Sequence, residues 1–240
     1  MSIERRQVHD LKHVGLNPIP ATTIKERMVL MFEKIEALKV AHQRFNPKTW
    51  ADMGGVWGVN GGYSQVIWLR YNPDRVVLCD YRSVTDERLQ GCGVELVQAN
   101  FLESVDQIGE VDAMVFFDVL LRQQDWKGLL EAYSKAVKLF VVFQPTSREP
   151  IDLTGMDLDQ YLGLVPEGTR EYVQKCGKDM NAIKGDVGAW QWGISTGELE
   201  VAMSDLGFEM AYRRDHGRFM DGLPYHNVAT VFAKKEIMGW

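Results

Sequence analysis

Apolar positions along the chain fall into two periods. Ile24, Met28, Met31, Ile35 and Leu38 recur at steps of four and three, which places them on one face of a helix. Thr23 followed by Glu26 makes a capping-box pattern, so this helix is expected to begin near Thr23. The stretch before it carries Pro18 and Pro20 and cannot be helical throughout. From Trp50 the pattern changes. Short apolar runs at Thr49–Met53, Arg75–Cys79, Val94–Gln98, Val111–Phe117 and Leu139–Gln144 read as strands. Helical stretches at Tyr63–Arg70, Val84–Gln90 and Gln124–Val137 separate them. The alternation is a βαβ series, and strands without polar alternation imply a mostly parallel sheet with helices on both faces. Such sheets bind ligands beyond the carboxyl ends of their strands.

The junction after the first strand reads WADMGGVWGVNGGYS over Trp50–Ser64, with five glycines between Gly54 and Gly62. Glycine at that density lets a backbone turn tightly and approach a ligand closely. Aspartates or amides close the next strands. Asp80 ends the second, where a carboxylate can accept both hydroxyl hydrogens of a ribose. Asn100 and Phe101 follow the third, where an amide could meet an adenine edge and a ring its face; Asp118 ends the fourth. An aspartate after a strand more often caps a helix or turns a loop. Repetition at successive strand ends favours a ligand.

Composition narrows the classes. With 240 residues, 45% hydrophobic and 25% charged, the chain is expected to form one globular domain. A net charge of -6 argues against a protein that grips nucleic acid. Three cysteines, Cys79, Cys92 and Cys176, make no CxxC pair and suit a reducing compartment, so the cytoplasm is the expected location. No apolar run is long enough to cross a bilayer, and none resembles a signal peptide.

The order of Asp52, the glycine turn, Asp80, Asn100 with Phe101, and FFDVLL resembles the class I S-adenosylmethionine-dependent methyltransferases. Near the C-terminus, ISTGELEVAMSDLGFEMAYRRD resembles that family's last helix, Leu-Gly-Phe turn and sixth strand, and NVATVFAKKE its antiparallel seventh. The resemblance implies a Rossmann-like α/β fold with a seven-stranded, mostly parallel sheet. It divides the single domain into an N-terminal helical extension (1–48), a cofactor-binding core (49–144), a lid or substrate insertion (145–194) and a C-terminal helix and hairpin (195–240). Position by position, it implies that Asp52, Gly54, Gly55, Asn60 and Gly61 hold the methionine portion of S-adenosylmethionine and Asp80 its ribose. Asn100 and Phe101 would contact adenine, and Asp118 would border the methionine or the acceptor. The family places glycines at alternate positions after the aspartate; Val56 stands where the next would be. Segments like WQWGI and GRF also resemble methyltransferases encoded with sugar-modifying genes.

The insertion is expected to choose the substrate, with Trp192 offering a flat surface for a sugar face or ring. Asp152, Asp157 and Asp159 have neither a histidine nor calcium-loop spacing, so no metal is expected. Methyl transfer needs an aligned nucleophile and sometimes a base. His216 and His226, both placed in a hairpin loop from Asp215 to His226, are the candidates, His216 first. Arg213, Arg214 and Arg218 form a positive cluster, and Arg122 follows the fourth strand; Arg122 and Arg218 are candidates for an anionic substrate. His9, His13 and His42 read as surface residues. The expected function is O-methylation of a small hydroxylated molecule such as a sugar or natural product. The rivals are an NAD(P)-dependent oxidoreductase, which would want Gly-x-Gly-x-x-Gly, and a non-catalytic cofactor-binding member of the fold.

Overall fold

The computed structural model describes residues 21–56, 59–82, 89, 92–123, 125–147, 194–218 and 225–239. An N-terminal helix α1 (Ala21–Phe45) leads into β1 (Thr49–Met53), α2 (Gly62–Tyr71), β2 (Arg75–Asp80), β3 (Val94–Gln98), α3 (Val105–Ile108) and β4 (Val111–Phe117). Then come α4 (Trp126–Ser134), β5 (Val137–Ser147), α5 (Thr196–Asp205), β6 (Phe208–Arg218) and β7 (Tyr225–Lys234). The seven strands form one sheet in the order β3-β2-β1-β4-β5-β7-β6. Strands β1 to β5 pair in parallel, whereas β7 runs antiparallel to both β5 and β6.

All five strands expected from the sequence form, and β1, β3 and β4 keep their bounds. β5 runs on to Ser147, so Pro145 and Thr146 belong to the sheet, paired with Asn227 and His226. α4 is shorter than its pattern because Asp125 caps it, accepting a 2.8 Å hydrogen bond from the Gly128 N–H. The helix expected over Val84–Gln90 and the substance of the insertion, Trp192 included, lie outside the described residues.

Two apolar layers cover the sheet. On one face Ile35, Leu38 and Ala41 of α1 join Tyr63, Val66 and Ile67 of α2 against Trp50, Val115, Val141 and Phe143. On the other, Leu129, Leu130 and Tyr133 of α4 and Leu199 and Met203 of α5 pack on Met114, Phe116, Phe140 and Phe232. Burying a leucine such as Leu38 contributes about 2 kcal/mol. α1 already runs at Ala21, which puts Thr23 inside the helix rather than at its cap. The cap pattern that does form is at α5: the Glu198 N–H donates to Ser195 Oγ at 3.2 Å, and the Ser195 N–H to Glu198 Oε2 at 2.8 Å.

Candidate functional site

β1 and β4 sit side by side where the chain's strand order reverses, and the crevice at their carboxyl ends is the place where such sheets bind ligands. The glycine turn lies there. Gly54, at φ 77, donates its N–H to the Cys79 carbonyl at 2.7 Å, and a Cβ on it would stand 2.7 Å from Val119 Cγ2. Only glycine fits that position. Gly61, at φ 80, closes the turn by donating to the Gly55 carbonyl at 2.8 Å and leads directly into α2. The turn is therefore set by packing from β2 and the segment after β4, and Asn60 takes the left-handed conformation beside it at φ 47.

Asp52 supports this turn from beneath. It is 1% exposed, its Oδ2 accepts a 2.7 Å hydrogen bond from Ser64 Oγ, and a Cβ on Gly55 would fall 2.3 Å from the same oxygen. Burial pushes its pKa up to about 6 against the pull of the Ser64 hydrogen bonds. Asp80, closing β2, holds the turn from the side: Oδ2 accepts from the Val56 N–H at 3.1 Å and Oδ1 from the Arg82 N–H at 3.0 Å. Asn100 caps the short 3-10 helix Phe101–Glu103, with Oδ1 accepting from the Leu102 N–H at 3.3 Å. The Phe101 ring approaches Gly54, its Cζ 3.5 Å from where a Cβ would be. Asp52, Gly54, Gly55, Asn60, Gly61, Asp80 and Phe101 are thus brought to one edge, with Asn100 beside them.

Asp118 follows β4 in the left-handed conformation, φ 58, and donates its N–H to the Phe143 carbonyl at 2.8 Å. Its Oδ2 lies 2.5 Å from Nζ of Lys34, a residue of α1. That ammonium is set among three rings, 5.6 Å from the centroid of Tyr63, 5.8 Å from Phe117 and 5.4 Å from Phe143. Burial lowers the lysine pKa, but the Asp118 carboxylate outweighs it and the net shift is upward, so Lys34 is charged. The sequence carried a signal for Lys34: it lies between Met31 and Leu38, on the flank of the apolar stripe of α1.

The two histidines are not in a loop. His216 belongs to β6 and His226 to β7, because these strands pair past the expected turn and admit a bulge between Asp215 and Arg218. The bulge breaks the strand alternation, so His216 turns to the Phe143 face while His226 stays on the face of its register partner Thr146. The His216 side chain, 4% exposed, packs against the Phe143 ring and lies 3.4 Å from Glu33 of α1. Burial lowers the His216 pKa and raises that of Glu33, and among the described residues the buried His216 Nε2 and Glu33 Oε2 have no hydrogen-bond partner. His226 is held differently: Nδ1 lies 2.9 and 3.0 Å from the two carboxylate oxygens of Asp215. Gln144 of β5 is fully buried, and among the described residues neither of its amide atoms has a hydrogen-bond partner. It shares its face with Thr146, the register partner of His226.

The arginine cluster is dispersed for the same reason. Arg213 and Arg214 alternate across β6, and Arg214 pairs with Glu36 of α1. Arg122 lies in a short 3-10 helix after β4. Arg218 ends β6. His42, read as a surface residue, instead stacks on Tyr71 with ring centroids 4.4 Å apart. Among the described residues, no group of three or more histidines, cysteines or carboxylates could hold a metal, and no helix is long and apolar enough to cross a membrane.

No protein-family model and no curated protein sequence matches the chain. Solved structures do match. Magnesium protoporphyrin IX methyltransferase from Synechocystis PCC 6803, with S-adenosylhomocysteine bound, superposes with a TM-score of 0.57 at 14% identity, over 92% of this chain and 90% of that one. The 1,6-didemethyltoxoflavin-N1-methyltransferase of Burkholderia thailandensis gives 0.56 at 13% identity, over 89% and 84%. The N-terminal domain of EvdMO1, with S-adenosylhomocysteine bound, gives 0.54 at 13% identity, over 84% and 81%. The fold is that of the class I S-adenosylmethionine-dependent methyltransferases.

Proposed function

We propose that the protein transfers a methyl group from S-adenosylmethionine to an oxygen of a small hydroxylated molecule such as a sugar or natural product. The observation that carries this reading is the joint between Asp80 and the glycine turn. One carboxylate oxygen fixes the Val56 N–H, so the acid that would accept ribose hydroxyls also holds the turn against which the rest of the ligand lies. The other features fit the same ligand. Phe101 offers a ring beside the turn, and Asp118 offers a carboxylate at the strand end for a cationic sulfur.

When bound, the sulfonium supplies an activated methyl group with a neutral leaving group, so the protein has to align the acceptor and remove its proton. His226 is the favoured base in this reading, because its ring is held by a carboxylate. Asp215, as the acceptor, keeps the ring proton on Nδ1 and leaves the Nε2 lone pair to take a hydroxyl proton. His216 is nearly closed off between Phe143 and Glu33 and serves to seat α1. The fully buried Gln144 amide, on the face that His226 shares, offers a donor and an acceptor to hydroxyl groups. Arg122, Trp192 and Arg218 complete the acceptor side of this proposal. A second structure of EvdMO1 was obtained in the presence of S-adenosylhomocysteine and D-fucose, which supports a sugar among the acceptors to be tried.

An NAD(P)-dependent oxidoreductase fits less well, because β7 enters antiparallel between β5 and β6, whereas the dinucleotide fold continues its parallel order. Isothermal calorimetry tests the reading. Micromolar binding of S-adenosylmethionine with none of NADH is expected, and the reverse would refute it. Consumption of the methyl donor with a panel of hydroxylated acceptors then separates an enzyme from a non-catalytic binder.

A further inference from the structure

We propose that the Lys34–Asp118 ion pair balances charge in the donor site and so sets how strongly that site prefers a sulfonium to its thioether product. The inference rests on the S-adenosylmethionine reading above. Asp118 ends the strand beside the glycine turn, and its neighbour Val119 packs directly against Gly54. Its side chain is 45% exposed, whereas that of Lys34 is 11% exposed. The carboxylate therefore faces the open strand edge on one side and a buried ammonium on the other.

The lysine cannot leave easily. Its Nζ is surrounded by Tyr63, Phe117 and Phe143, and an ammonium among rings without an anion is costly to bury. α1 thus delivers a fixed positive charge to the end of β4. S-adenosylmethionine and S-adenosylhomocysteine differ by one methyl group and one positive charge, with all other contacts in common. A lone Asp118 carboxylate would attract the donor more than the product. Lys34 cancels that attraction, keeps the two affinities close and makes the enzyme sensitive to its own product.

The ratio of the two dissociation constants isolates this effect, since a merely structural change moves both together. Calorimetry with both ligands on wild type, Lys34→Met and Asp118→Asn gives it. Lys34→Met should shift the ratio toward the donor by roughly three- to tenfold, the size expected for one charge at several ångströms in a partly solvated site. Asp118→Asn should shift it by a similar factor toward the product, because the ammonium then acts alone. Asparagine tolerates the left-handed backbone at position 118 and methionine fills the space of the lysine stem at position 34, so either variant alone suffices for the test. A wild-type ratio in every variant that binds would overturn the inference. Wild-type protein that binds neither ligand would instead remove the donor reading on which it rests.

Discussion

Lys34 Nζ lies 2.5 Å from Asp118 Oδ2, a contact that joins residues 84 positions apart and fastens the N-terminal helix to the carboxyl end of the central sheet. The pair is unequal, with the lysine buried and the aspartate half-exposed. Removing one partner should therefore cost differently from removing the other. Asp118→Asn leaves an ammonium buried with a neutral partner and should destabilise the fold by roughly 1–3 kcal/mol. Lys34→Met fills similar space, lets Asp118 return to water and should cost under about 1 kcal/mol. Urea unfolding of both variants checks the order; equal losses would count against it.

Asp80, buried at the end of β2, holds two backbone N–H groups of the segments that border the proposed donor site. Asp80→Ala should weaken S-adenosylmethionine binding by about ten- to a hundredfold, the scale of charge-assisted hydrogen bonds. Calorimetry reads this directly, and unchanged affinity would take Asp80 out of the site.

The two histidines should separate in kinetics. His226→Ala is expected to lower kcat by about 10²–10⁴ while donor affinity stays within twofold, and Asp215→Asn to lower it less by freeing the ring. His216→Ala should instead lower the melting temperature, since the ring packs on Phe143 and faces Glu33 across the α1 interface. Should turnover vanish in a folded His216→Ala protein and persist in His226→Ala, the roles are reversed.

Asp52 makes stability depend on pH. Its folded-state pKa, about 6, lies above its ordinary value of 3.8. An acid whose pKa is raised by folding contributes its full stability below the unfolded value and loses it as pH rises through the folded value. Asp52→Asn, which can still accept from Ser64, should therefore match wild type near pH 4. It should become more stable by up to about 3 kcal/mol above pH 7. Melting temperatures of both proteins across that range test it; parallel curves would contradict a carboxylate whose charge burial disfavours.

Gln144 is fully buried and, among the described residues, both its amide atoms are unpartnered, an arrangement that costs about 1–3 kcal/mol per group. Gln144→Leu should raise the unfolding free energy by about 1–3 kcal/mol and reduce kcat/KM toward hydroxylated acceptors. A more stable variant with undiminished turnover would leave the amide without a role in the site.

Much of the fold was legible because its signals are local. The strands at Thr49–Met53, Val94–Gln98 and Val111–Phe117 are written as apolar runs, and the glycines of Gly54 and Gly61 announce backbone conformations that few other residues adopt. The histidine loop was misread because β6 and β7 extend their pairing as far as Arg218 and His226, and strand length depends on the partner strand. His42 looked like a surface residue because nothing nearby in sequence foretells that Tyr71 will stack on it.

The sequence by itself determined the order of the strands, the glycine turn and the acids that close β2 and β4, since each depends on residue type and near neighbours. Tertiary structure alone decided which groups those acids meet. Asp52 became a buried support beneath the turn, Asp118 met Lys34, and the two histidines parted to opposite faces. The physical reason is that burial and charge pairing arise where distant segments come together. Sheet pleat and helix docking set those meetings, and they leave only faint marks on the chain, such as a lysine on the flank of an apolar stripe.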